Sequence, residues 1–402
     1  MSDNNVLLAR QPIYHSDMTI AAYELLFRPE EGEDLNKFDG NIATSRVLLN
    51  AFTEYDLDAV TEGKPAFINF TKDLFFSPPP FDPKRIVIEI LEDIEVTESL
   101  IAQTKYLKQK NFEIALDDFV MDERYKPLIP LANYIKLELP AMDEETLRST
   151  INYFKPYPCT LLAEKVETQT DYRKCVDFGC TLFQGYFLSR PEIIKGRKLS
   201  PNKLAVLQLI SEVQNPVIDI PGLIKVISRD TTLSFKLLKL VNSASYRRVK
   251  EISSIHMAVM MLGMSKIKSW ASLLALSKLD DKPKAIQMSS VIRAGLCERL
   301  AKYFGDEFKD LFFTIGLLST LDVFFDTPLS ELVNDLPLTD DVAAALLNYK
   351  GKPGLALHTV KNYEISHWKA IHWDILGRFG ITRMELNKAY METIKWANSQ
   401  EF

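Results

Sequence analysis

Six short apolar runs in the first half of the chain restrict its fold more than any other feature. They are "PAFINF" from residue 65, "RIVIEIL" from 85, "FEIALDDF" from 112, "NYIKLEL" from 133, "TLLAEKVE" from 160 and "TLFQGYFL" from 181. The runs recur about every 20 to 30 residues, room for one strand, one helix and two loops, which is what a parallel sheet needs between neighbouring strands. Helix-length segments such as "VTESLIAQTKYLKQKNF" fill the gaps. Ahead of them, "NVLLARQPIYHSDMTIAAYELLFR" reads as a hairpin around the polar turn "HSDMT". Eight strands in all would close a (β/α) barrel, with an open doubly wound sheet as the alternative.

After "LSRPEIIKGRKLSPN" the strands stop and helical periodicity takes over. A chain of 402 residues suits two domains, and the change of pattern places them at 1–195 and 196–402. In "SRDTTLSFKLLKLVNSASY" Leu233, Leu237, Leu240 and Val241 share one helical face behind a cap at Asp230 or Thr231. In "SSIHMAVMMLGMSKIKSW" Ser254 caps, Ile255, Val259 and Leu262 line a face, and Gly263 stops the helix. The expected fold class is therefore α/β followed by all-α.

The apolar runs share a second property: each ends in a residue that can bind a hard cation or a polar ligand. These are Asn69, Glu89, Asp117 with Asp118, Lys136, Glu164 and Gln184. In a parallel barrel the C-terminal strand ends converge on one face. Oxygen donors without a matching set of cysteines or histidines favour Mg2+ or Mn2+, and several carboxylates around two such ions suit hydrolysis of a phosphodiester. The plain alternative is that carboxylates often sit where strands run into loops. Glu24, in "YELLFR", has no evident structural duty and is a further candidate ligand.

Residues 6–192 resemble the EAL-domain phosphodiesterases, which linearise cyclic di-GMP to pGpG. "RQPIY" resembles the family's Q-P-I stretch, and "YELLFR" its E-A-L-x-R with leucine for alanine. "INFT" stands for N-L-S, "EILE" for E-x-x-E, "LDDF" for D-D-F-G, "IKLE" for K-I-D, "AEKVE" for A-E-G-V-E and "FQGYFLSRP" for Q-G-Y-x-x-x-x-P. The resemblance implies a TIM-like barrel in which Glu24, Asn69, Glu89 and Asp117 hold a first metal ion and Asp118 contributes to a second. It makes Glu164 the general base or water-positioning carboxylate, sets Lys136 beside the catalytic water, and has Glu167 and Gln184 complete the shell. Gln11 and Arg28 contact substrate, the arginine by a charge-assisted bond to phosphate. The chain also departs from the pattern. A glycine-rich loop that follows the second aspartate in the family is replaced by "VMDERYKPLI", so its anchor, Glu92, loses its usual partner. Lys165 stands where glycine is usual and Glu138 where aspartate is usual. The replaced loop is expected to leave the metal site less organised.

Residues 200–395 resemble the HDOD domain, an all-helical relative of the HD phosphohydrolases. At the position of the HD pair the chain reads "GLLST", with Ser319 and Thr320, so an HD-type metal site is not expected and the domain reads as an output or docking module for an unidentified protein. His367 and His372 beside Trp368 and Trp373 read as helix packing rather than a metal site. Between residues 228 and 270 eight lysines and arginines, among them Arg247, Arg248, Lys250, Lys266 and Lys268, face two acids, and a solvated helix face is the commoner cause. With a net charge of −6 a nucleic-acid partner is disfavoured. The four cysteines form no CxxC pair, which fits a reducing compartment. No apolar stretch of about 18 residues and no basic leader occur, so the expected location is cytoplasmic with no membrane partner.

Overall fold

The computed structural model describes residues 7–28, 57–76, 78, 82–91, 94–119, 122–185, 199–242, 252–279 and 282–399. Glu92, the side chain of Arg28 and the basic residues 247, 248 and 250 lie outside the described parts. The chain divides into two compact units, one covering 1–188 and 364–366 and the other 189–363 and 367–402.

The first unit is built on eight strands: β1 (Leu7–His15), β2 (Ile20–Arg28), β3 (Ala66–Phe70), β4 (Ile86–Ile90), β5 (Glu113–Leu116), β6 (Tyr134–Glu138), β7 (Thr160–Glu164) and β8 (Leu182–Phe183). They close in the order β1 to β8, and the open sheet is ruled out by the last pairing, in which Tyr14 and His15 of β1 meet Phe183 and Leu182 of β8. β1 runs antiparallel to both neighbours, while β2 to β8 are parallel. This departure from an all-parallel barrel follows from the hairpin. His15 and Thr19 close its turn by a 2.8 Å backbone bond, and Asp17 accepts from the Thr19 N–H at 2.9 Å.

Among the described residues five α-helices accompany the strands: α1 (Leu57–Thr61), α2 (Lys72–Phe76), α3 (Glu98–Gln109), α4 (Glu144–Phe154) and α5 (Gln169–Phe178). Thr97, Asp143 and Thr168 cap the last three by accepting the N–H of Leu100, Thr146 and Asp171, satisfying donors that a helix start leaves open. Inside the barrel one buried layer joins Ile13, Ala22, Phe67, Val87, Ala115, Leu162 and Leu182, with Tyr134 packed against it. Each residue comes from a different strand, so this layer is the plug that sets the floor of whatever lies above it.

The second unit is helical throughout its described residues. It begins with α6 (Pro201–Gln214), α7 (Ile220–Ser228), α8 (Thr231–Val241), α9 (Ile255–Leu262) and α10 (Met264–Leu276). On α8 the expected face of Leu233, Leu237, Leu240 and Val241 is the buried one, and Asp230 is the cap. Ser254 caps α9 and Gly263, at φ 87°, ends it, although α10 follows at once. Leu262 is only half-buried. α11 (Lys284–Leu300) and α12 (Lys309–Leu318) cross so closely that a Cβ on Gly316 would lie 2.8 Å from the Ala294 Cα. Only glycine permits that approach. Among the described residues no single helix is long and apolar enough to cross a membrane.

Candidate metal centre at the barrel mouth

Side chains in a strand alternate between faces, so the residue two positions beyond a core residue points the same way, one layer higher. Applied to the buried layer, this rule gives the site. Ala22 leads to Glu24, Phe67 to Asn69, Val87 to Glu89, Ala115 to Asp117, Tyr134 to Lys136, Leu162 to Glu164 and Leu182 to Gln184. On antiparallel β1 the step runs backwards, from Ile13 to Gln11, which pairs in register with Glu24. Asn69 likewise pairs with Glu89. The strands end raggedly against this layer: Lys136 is the middle residue of β6, not its end, whereas Asp117 and Gln184 lie just past theirs.

Lys136 is the hub. Its Nζ is 2.6 Å from Glu89, 2.7 Å from Asp117, 2.9 Å from Glu164 and 3.6 Å from Glu24. Burial works against its charge, but Glu24, Glu89, Glu164 and Asp117 together hold the ammonium well above the ordinary lysine value. One cation cannot serve four carboxylates equally. Burial drives Glu89 well above the usual carboxylate range despite the ammonium beside it, and Glu24 and Asp117 add to the rise. Burial likewise pushes Glu164 up to about 8, with Lys136 opposing and Asp117 and Glu24 reinforcing. Gln184 steadies the fourth acid by donating from Nε2 to Glu24 Oε2.

The arrangement is short of positive partners. Neither Glu89 oxygen, nor Asn69 Oδ1, nor Gln184 Oε1, all buried, has a geometrically formed hydrogen bond, and Glu89 has the Lys136 ammonium at 2.6 Å as its counter-charge. Buried polar oxygens are costly unless satisfied. Thr71 Oγ1, just past β3, is a fifth such atom and was not singled out by the sequence. Asp117, Asp118 and Glu164 each offer an oxygen within 4.8 Å of the others. Asp118 adopts φ 38°, an uncommon conformation for a residue with a side chain, and its N–H bonds to Asp117 Oδ1 at 3.1 Å. Hard cations coordinated by oxygen fit this donor set.

The described part of the loop after Asp118 holds two short turns. Asp122 caps a 3-10 turn over Glu123–Tyr125 and binds Arg124 Nε at 2.8 Å, and a second turn spans Ile129–Leu131. Phe119 anchors it against Tyr125 and Phe154, with Leu128 and Ile129 buried. Glu167 is exposed, on the wall of a side cavity. Gly185, just beyond Gln184, has φ 150°, and a Cβ there would lie 2.2 Å from the Val166 carbonyl. The contact lets Val166 N bond Gln184 O at 3.0 Å and so fixes β7 against the end of β8.

In the second unit Ser319 and Thr320 are buried and turn inward on their own helix, their hydroxyls donating to the Gly316 and Leu317 carbonyls at 2.7 Å. Arg293 Nη1 approaches Ser319 Oγ at 3.3 Å. His372 stacks on His358, with ring centroids 4.9 Å apart, rather than pairing with His367. Lys266 is paired with Glu298, and Lys268 donates to the Asn215 carbonyl at 2.7 Å, so these two cations face protein partners.

Comparison with known proteins agrees with both halves. The EAL domain family matches residues 56–191 and the HDOD domain family residues 200–327. The uncharacterized protein YuxH of Bacillus subtilis is 34% identical, over 98% of this chain and 98% of that protein. The cyclic di-GMP phosphodiesterase CdgJ of Vibrio cholerae is 33% identical, over 97% of this chain and 92% of its own. Among solved structures, the Bacillus subtilis YkuI protein, with an EAL domain and in complex with substrate c-di-GMP and calcium, is 19% identical with a TM-score of 0.38, covering 57% of this chain and 72% of that one. With identity sustained over nearly the full length of two relatives and the two domain families matched in order, the chain belongs to the proteins that join an EAL domain to an HDOD domain.

Proposed function

We propose that the barrel is a divalent-metal-dependent phosphodiesterase that hydrolyses cyclic di-GMP to linear pGpG, and that the helical domain is its regulatory or output module, with the domains divided at 195/196. The observation that carries this reading is the layer of Glu24, Asn69, Glu89, Asp117, Lys136, Glu164 and Gln184 above the barrel core, with buried oxygens left unsatisfied. Glu24, Asn69, Glu89 and Asp117 are the residues to hold a first Mg2+ or Mn2+, and Asp118, with Asp117 and Glu164, a second. Such ions supply charge that polarises the phosphodiester and acidifies water.

The chain's own groups do the rest. Glu164 accepts the proton of the attacking water as that oxygen bonds to phosphorus and the bond to the ribose 3′ oxygen breaks. Lys136 fixes the Glu164 and Asp117 oxygens and can donate to the nucleophile. Gln11, beside Glu24 on the neighbouring strand, and Arg28 orient the substrate, and Glu167 and Glu92 support the rim. The helical domain answers to a protein partner, in keeping with the exposed Phe235 on α8 and Met260 on α9. The four cysteines, none of them in a disulfide, accord with a cytoplasmic location.

One observation favours a second reading, a silent receptor that binds cyclic di-GMP and signals through the helical domain. The loop after Asp118 is built of two 3-10 turns in place of the family's glycine-rich segment. The test is to incubate the full chain with cyclic di-GMP and Mg2+ or Mn2+ and look for pGpG by chromatography. Product supports the phosphodiesterase, binding without product supports the receptor, and neither overturns both.

A further inference from the structure

The two substitutions that set this chain apart at the strand ends turn out to be one device. Glu138 is the last residue of β6 and pairs in register with Glu164, the last residue of β7. Lys165 is the next residue along, and its Nζ lies 2.6 Å from Glu138 Oε1. Its backbone is left-handed, φ 52°, the conformation for which glycine is the ordinary choice. A lysine therefore occupies a position that strains it, within contact of a glutamate on the adjoining strand. The backbone turn that glycine would supply has been kept, and a cation has been added.

Glu138 lies two residues beyond Lys136 on the same face of β6, so the pair sits one layer above the site at the barrel rim. Asp117, Asp118 and Glu164 gather their oxygens at the site. Lys165, ion-paired with Glu138 and next to Glu164 in the chain, therefore stands beside the same acids. Compared with a glycine and an aspartate, the Lys165 and Glu138 pair adds one positive charge to this edge and leaves the inner set of Glu24, Asn69 and Glu89 untouched.

We propose that the Lys165–Glu138 pair is a charge-setting device that lowers the affinity of the outer, second divalent-cation position, so that the barrel loads one ion readily and the other only at high concentration. The inference rests on the metal-site reading above and deepens it. An ion and an ammonium drawn to the same carboxylates compete through space, and Glu138 moderates the competition by holding the lysine to one side. The lysine stem runs along a side cavity of about 240 Å3, shared with Leu139, Met142 and Leu147, and half of the side chain is exposed. Exchange of Lys165 for glutamine removes the charge without opening a packed core.

The test is Mn2+ binding to the full chain, read as free Mn2+ by electron paramagnetic resonance, for the wild type, Lys165→Gln, Glu138→Gln and the double variant. The wild type should show one tighter and one weaker ion. Lys165→Gln should tighten the weaker ion about tenfold, the scale of one unit charge near a divalent ion in a partly hydrated setting. Glu138→Gln frees the ammonium and should weaken that ion further, and the double variant should return close to wild type. A pair that only braces the two strands would shift both single variants in the same direction. Equal or parallel shifts, or none, would overturn the device while leaving the metal site standing. Absence of any bound Mn2+ in all four proteins would overturn both the device and the metal-site reading beneath it.

Discussion

Replacing Lys136 with methionine tests the electrostatics of the barrel mouth, because it keeps the length of the side chain and removes the charge that four acids share. Three of those acids lie 2.6, 2.7 and 2.9 Å from the ammonium. At an effective dielectric of about 20, one such pair attracts by roughly 6 kcal/mol. Desolvation of the lysine and repulsion among the acids offset most of that sum, and removal of one partner from a buried ionic cluster costs about 3–5 kcal/mol. For a unit of this size that is roughly 6–20 °C in Tm. The deficit has a pH signature. Burial raises the pKa of Glu89 and takes that of Glu164 to about 8, so the folded barrel binds more protons than the unfolded chain from the ordinary carboxylate range up to about pH 8. Its metal-free stability therefore falls as pH rises through that window. Lys136 opposes the rise at Glu89 and Glu164, so without it those two acids titrate higher still, and the deficit of Lys136→Met should be least near about pH 5, greatest near about pH 8, and reduced by Mn2+. Thermal unfolding of the full chain, followed by circular dichroism with and without Mn2+, measures all three. A deficit below about 1 kcal/mol, or one that ignores pH, would refute the account of Lys136 as the shared counter-charge.

Glu164→Gln should lower pGpG production by ~10²- to 10⁴-fold while thermal unfolding stays close to wild type; undiminished turnover would remove Glu164 from the mechanism. Glu24→Ala and Asn69→Ala should act through metal affinity, so that excess Mn2+ restores part of their activity, and an equal loss at every Mn2+ concentration would deny them that role. Because Glu164 keeps its proton up to about pH 8 in the metal-free barrel, Mn2+ loading at neutral pH should release protons and strengthen as pH rises toward 8. Calorimetry in two buffers of different ionisation enthalpy measures that release, and identical heats in both would contradict it.

Much of the site was legible in the sequence because a strand has a period of two. Once a run such as "RIVIE" is read as a barrel strand, Val87 and Glu89 must share a face, and the same step yields Asn69, Asp117, Glu164 and Gln184 from their own runs. The hairpin, the caps at Asp230 and Ser254 and the buried face of α8 were equally local, set by hydrogen-bonding residues and helical spacing. Closure of the sheet was not local. It required Tyr14 and His15 to reach Phe183 and Leu182, about 170 residues away in the chain, and only that pairing distinguishes a barrel from an open sheet. The sequence placed Lys136 in a strand run, and the family resemblance set it beside the catalytic water, without showing which acids it meets. Tertiary structure made it the centre of four acids, and joined Lys165 to Glu138 across neighbouring strands. Which groups carry charge, and how much proton affinity each gains, depends on the water excluded from around them and on distances between residues far apart in sequence. Burial and through-space charge arise only when the barrel closes, and pattern along a chain encodes neither.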